Sequence, residues 1–319
     1  MARRTERRPA LLAAALLLAG NALAQQLAPL TVCVAADNPP LSHLVAGQPR
    51  GLDVRIAQAA AESLGRPLKV VPFETSYEKE SSLAREVAAL LAAGVCDAVS
   101  GFPLLRADLR PAEGDKARTP DFPGAKRKRE RPFIALQPLA PGRAYIAAAL
   151  GVVQPAGAPP LLRLQDVVNN ANERRIGVVA GTLGGAMALG WKNGALRSRL
   201  VSLGQKEQPL DELAAAPAPG TKRRFDAVLL PLALFDGWLV QHPGATLAAA
   251  AWRRPIGINL GFVTLESEAV LRPALDAVIS RGLADGSLAR WSAEEGVSWV
   301  PPVAPDVGRG PSLLELMAD

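Results

Sequence analysis

The sequence predicts an α/β protein built from two sheet-and-helix units joined by a pair of crossing strands. Three observations carry this. Strand-like and helix-like segments alternate with short connections over residues 30–103. The same rhythm restarts over residues 175–240. After that second unit the chain returns with one more strand and helix, over residues 256–283.

The elements follow in order. Residues 30–36 (LTVCVAA) read as a buried strand, ended by Asp37-Asn38-Pro39-Pro40, because paired prolines force extended or turn backbone. Gly47 to Gly51 reads as a turn. Asp53 is placed to cap the next helix, whose apolar stripe is Leu52, Ile56, Ala60 and Leu64, with Gly65 at its C-terminal glycine position. Leu68 to Phe73 is a second strand. Leu83, Val87, Leu90 and Leu91 mark a second helix, stopped by Gly94. Cys96 to Ser100 is a third strand, expected beside the first in a 2-1-3 order.

Residues 107–132 break the pattern with prolines, glycines and the basic run Lys126 to Arg131, which reads as a solvated surface loop, with an acidic partner or a membrane surface as the alternative reading of the basic run. Tyr145 to Val153 is an apolar strand. Arg175 to Ala180, Leu200 to Leu203 and Phe225 to Leu230 are strands of the second unit, with helices after Gly181-Thr182, from Leu210 and up to Val240. Leu271, Leu275, Val278 and Leu283 mark a later helix, and residues 300–312 carry four prolines and two glycines, predicting an extended tail. The boundaries expected are 28–142 plus 255–299 for one lobe, 143–254 for the other, and 300–319 for the tail.

Residues 1–24 read as a cleaved export signal, which places the mature protein in the periplasm. Arg3, Arg4, Arg7 and Arg8 give a basic start, Leu11 to Ala19 an apolar run, and Ala22-Leu23-Ala24 small residues for the peptidase. The run is shorter than the roughly 20 residues a membrane span needs. Removing the signal lowers the formal charge from +6 to +3, so the basic balance gives no strong case for nucleic acid. Two cysteines, Cys33 and Cys96, remain. An oxidising compartment allows a disulfide, and adjacent first and third strands would bring the two close; two separate buried thiols are the alternative.

In open α/β sheets ligands sit beyond the carboxyl ends of the strands. That rule selects Asp37, Asn38 and Leu41, then Ser100, Gly101 and Phe102, then Gly181, Thr182 and Leu183, and finally Pro231. Gly181-Thr182 offers donors at a helix start, suited either to an anionic group or to an ordinary cap. Arg106 could bond an acid. The binding reading expects loop tips near Ser100 and Thr182 to point into one gap. His43 and His242 lie in no metal-ligating pattern, and no nucleophile elbow or phosphate loop is present, so no metal, cofactor or catalysis is expected.

The ordered pieces LTVCVAADNPPLS, GLDVRIAQAAAESLG, LLAAGVCDAVSGFP, RIGVVAGTLGGAMAL, FDAVLLPLA and GFVTLESEAVLRPALDAVISRGLADGSLARW resemble the family 3 extracellular solute-binding proteins of ABC importers. The resemblance covers residues 30–103 and 175–297. It implies the type II periplasmic binding protein architecture, with a small-molecule solute held between two lobes and handed to an ABC permease. Amino-acid-binding members carry an aromatic where Leu41 stands, and an Asp for the ligand's ammonium where Pro231 stands. Their Arg element is displaced here to Arg106. The first-strand cysteine with GVCDAVSGFP is also similar to solute-binding-like proteins associated with quinoprotein (methanol or alcohol) dehydrogenases, which implies a periplasmic dehydrogenase as an alternative partner.

Overall fold

The structure is a computed structural model that describes residues 27–75, 81–169, 173–217, 219–268 and 271–318. The expected export signal lies outside the described residues. Among them, no helix is long and apolar enough to cross a membrane.

The first half runs β1 (Leu30–Ala35), β2 (Asp37–Asn38), β3 (Ser42–Val45), β4 (Gln48–Arg50), α1 (Leu52–Ser63), β5 (Leu68–Phe73), α2 (Leu83–Ala92) and β6 (Ala98–Pro103). Both helices end as their glycines predict. Gly65 and Gly94 have φ of 61° and 66°. Arg66 N–H bonds Ala61 O, and Val95 N–H bonds Leu90 O, so each glycine turn ties back the last carbonyls of its helix. The strands β5, β1 and β6 lie side by side and parallel, in the expected 2-1-3 order. β7 (Lys116–Ala117) and β8 (Ile134–Ala135) pair with each other and close off the 107–132 excursion. Arg131, from the basic run, is not solvated: it is buried and donates to Thr119 O, Pro120 O and Asp121.

β9 (Leu139–Pro155) crosses into the second half, which holds α3 (Gln165–Val168), β10 (Ile176–Val179), α4 (Leu183–Gly190), β11 (Leu200–Leu203), α5 (Pro209–Ala214), β12 (Ala227–Pro231) and α6 (Leu232–Gln241). β13 (Leu247–Leu265) crosses back, followed by α7 (Arg272–Ala284), α8 (Ser287–Glu294) and α9 (Leu313–Met317). The result is two α/β lobes joined by two crossing strands. Their hydrogen-bonded ladder is one eight-stranded sheet, ordered β11-β10-β12-β9-β13-β6-β1-β5. It is continuous because β9 and β13 pair along both lobes. That pairing is irregular: between Ala249 and Arg253, and again between Pro255 and Asn259, four steps along β13 match two along β9.

Each lobe is covered on both faces. In the first, Leu52 and Ile56 of α1 pack with Leu275 and Leu288 against Val32, Val34 and Phe262. Val87, Leu90 and Leu91 of α2 pack against Val99, Phe73 and Phe102 on the other face. In the second, Met187, Trp191 and Leu316 cover Val152, Val178 and Leu229, while Leu213 and Phe235 cover Val153, Val228 and Leu230.

Three details differ from the sequence reading. Asp53 does not cap α1; Gly51 holds the cap position, and Asp53 is fully buried inside the first turn. Cys96 precedes the third strand, which starts at Ala98; it lies in the turn after α2 and reaches Cys33 from there. The stretch 37–50 is a small antiparallel sheet, β2-β3-β4, not a pair of turns. Cys33 and Cys96 form a disulfide, with their Cα atoms 5.7 Å apart.

Candidate functional site

The sheet register fixes which loops can meet. Cys33 aligns with Val99, so the chain leaving β1 at Asp37 runs beside the Ser100–Phe102 end of β6. Val178 aligns with Leu229, so Gly181 emerges beside Pro231. The lobes touch where the loop after β1 meets the middle of α6. A Cβ placed on Gly237 would stand 3.2 Å from Pro39 O. A cavity of about 80 Å³ lies in this seam, lined by Asn38, Leu41, Ile146, Pro231, Leu232 and Asp236 among others.

The expected site residues therefore separate. Asn38, Leu41 and Pro231 share the seam cavity. Asp37 is exposed beside it. Ser100 is buried at the end of β6, and Gly101 is half-buried. Phe102 points into the apolar core beneath α2 rather than toward the seam, because it stands on the same face as Leu104. Gly181 and Thr182 are exposed and, like Ser100, are not part of the seam cavity's lining. Leu183 is half-buried against the core of the second lobe. Thr182 is an ordinary cap: its hydroxyl donates to Val179 O at 2.7 Å and accepts from Gly185 N–H at 3.1 Å. Arg106 lines a different and larger cavity, of about 590 Å³.

Beneath the tips of β1 and β6 lies a buried polar group that sequence reasoning missed. The Tyr145 hydroxyl donates to Asp53 Oδ1 at 2.5 Å. Asp53 Oδ2 has no hydrogen-bond partner, and a Cβ on Gly101 would stand 2.9 Å from it. Gly101 also has φ of 66°, so only glycine suits that turn. Burial pushes the Asp53 carboxyl up to about 7, while the hydrogen bond from Tyr145 opposes the shift. The Ser100 hydroxyl lies close enough to favour the charged form without meeting hydrogen-bond geometry. Asp236 is the one titratable residue lining the seam. Its two oxygens accept from Ser298 Oγ at 2.6 Å and Ser298 N–H at 2.7 Å. Burial pushes its carboxyl above the ordinary range.

Among the described residues, no cluster of His, Cys, Asp and Glu has the arrangement of a metal site. No family model matches the chain, and no curated protein matches it. Solved structures do share the fold. An ancestral cyclohexadienyl dehydratase superposes with a TM-score of 0.56 at 15% identity, covering 84% of this chain and 92% of that one. The substrate-binding domain 2 of Lactococcus lactis GlnP, in an open conformation, gives 0.54 at 14% identity over 83% and 94%. The L-cystine solute receptor of Neisseria gonorrhoeae, unliganded and open, gives 0.52 at 16% identity over 84% and 92%. This chain thus has the two-lobed fold of type II periplasmic binding proteins, a fold that also supports an enzyme.

Proposed function

We propose that this protein is a periplasmic solute-binding protein of the family 3 type, which captures a small acidic or neutral solute at the seam between its lobes for delivery to a membrane importer. One observation carries the reading. Loops at the carboxyl ends of parallel strands from both lobes, Asn38–Leu41 and Pro231–Asp236, face each other beside the crossing strands. Two fold-mates, a solute receptor and a substrate-binding domain, support a binding role. The disulfide supports an oxidising compartment.

The seam chemistry narrows the solute. An ammonium group needs a free carboxylate within the cavity, and its lining has none: Pro231 stands at the strand end, Asp236 is engaged by Ser298, and Asp37 lies outside the lining. The same single, engaged carboxyl argues against acid–base catalysis there. The seam cavity is too small for most solutes, so capture requires the lobes to part and close again.

A thermal-shift panel of organic acids, neutral solutes and amino acids tests this. A solute at a hundredfold excess over its Kd stabilises by about 2.7 kcal/mol, a rise of several degrees. Organic acids or neutral solutes should shift the wild type, while amino acids should shift only Pro231→Asp. A wild type stabilised by amino acids and unaffected by Pro231→Asp would refute the assignment.

A further inference from the structure

The chain beyond α8 does more than trail away. Residues 300–310 run across both crossing strands: Ala147 N–H of β9 bonds Val300 O, and the Asn259 side chain of β13 bonds Val303 O; Arg106 N–H, in the loop after β6, bonds Gly308 O. The fit is close enough to require glycine. A Cβ on Gly308 would stand 2.6 Å from Gly257 O. The chain then reaches the second lobe, where Leu316 of α9 is buried and Arg254 donates to Glu315 O and Ala318 O.

Between this tail, β13 and the loop after β6 lies the cavity of about 590 Å³, a size that suits a small organic ligand. Its only residue in common with the seam is Ala147. Two guanidiniums enter its lining, Arg106 from the first lobe and Arg309 from the tail. Neither has a hydrogen-bond or ion-pair partner among the described residues, whereas nearby Arg253 and Arg254 are held by backbone carbonyls. Glu315 is the one acidic residue of the lining. The rest includes apolar surface from Ala147, Pro255, Ile258 and Val303.

From these residues we infer a second binding site, under the tail, for a small di- or tricarboxylate. Each planar guanidinium can grip one carboxylate through paired N–H bonds. The apolar wall suits the carbon skeleton of such an acid better than it suits inorganic phosphate. The wall is fixed, because the buried Asn259 side chain bonds the tail backbone at Val303, Pro305 and Asp306. Occupancy would tie the first lobe to the tail. The inference does not depend on the solute proposed for the seam.

The test is calorimetric titration of the full chain with citrate and succinate at constant ionic strength, with inorganic phosphate as a comparison. Arg106→Ala and Arg309→Ala remove exposed side chains and should leave the fold intact, checked by circular dichroism. The expected result is carboxylate binding that each variant weakens by at least about tenfold, strengthens in Glu315→Gln and persists in Pro231→Asp. Three outcomes overturn it: no carboxylate binding by the wild type, phosphate bound as tightly as citrate, or an unchanged affinity in Arg309→Ala. Binding lost in Pro231→Asp but kept in Arg309→Ala would assign the acid to the seam and leave the tail cavity without a ligand.

Discussion

Asn259→Ala should release the tail. The Asn259 side chain, 4% exposed, donates through Nδ2 to Val303 O at 2.8 Å, Asp306 O at 3.0 Å and Pro305 O at 3.2 Å, and its Oδ1 accepts from Val303 N–H at 3.1 Å. Two N–H groups serve three carbonyls, so the set is equivalent to about three full bonds. At a net 0.5–1.5 kcal/mol each, their loss destabilises by about 1.5–4.5 kcal/mol. The upper end is plausible because alanine leaves Val303 N–H without its acceptor. Urea unfolding measures the loss, and limited proteolysis reports the tail directly, since residues 300–312 become cleavable once unpinned. Asn259→Asp turns a buried carboxylate oxygen toward the Val303, Pro305 and Asp306 carbonyls, so it should destabilise at least as much as alanine. A loss below about 0.5 kcal/mol, with proteolysis unchanged, would show that the tail is held by other contacts and that the bond count is the wrong measure.

Two further predictions concern the strand tips. The Asp53 carboxyl titrates near 7 when folded, against a reference of 3.8. The folded state therefore holds the extra proton, and this contribution is complete below pH 3.8 and lost as pH rises through 7. It amounts to about 4 kcal/mol; Asp53→Asn should flatten that part of the stability–pH curve, and an equally steep curve in the variant would place the titration elsewhere. Thr182→Ala should lower stability by about 1 kcal/mol through loss of the α4 cap, yet leave affinity for a seam solute unchanged; a fall in affinity would return Thr182 to the binding surface.

Much of the fold was legible because it is written in local signals. Gly65 and Gly94 mark helix ends whose hydrogen bonds close within six residues. The 2-1-3 order follows from short β-α-β connections. Asp53 misled because a short polar residue near a helix start reads as a cap, whereas Gly51 two positions earlier already occupies that role and Tyr145, 92 residues away, claims the carboxylate. The small sheet β2-β3-β4 was missed because its strands are two to four residues long, too short to show a period. The candidate site was legible only in part. The rule of carboxyl ends selected Asn38, Leu41 and Pro231, which line one cavity, but the partner of each loop depends on how the lobes sit. Residues 300–312 hold no helix, but the tail ends in the short helix α9, which the sequence reading did not expect. The tail's partner Asn259 lies 44 residues back from Val303, a pairing no local pattern reveals.

The uneven pairing of β9 and β13 has a mechanical consequence. A ladder with every rung in place resists torsion along its whole length, whereas one with rungs missing yields at the gap. Residues 256–258 are such a gap, and the tail passes directly over it, touching Gly257 and bonded to Asn259. Twist between the lobes would concentrate within those three residues, and the tail would stretch or slacken in proportion, as a tendon does over a joint.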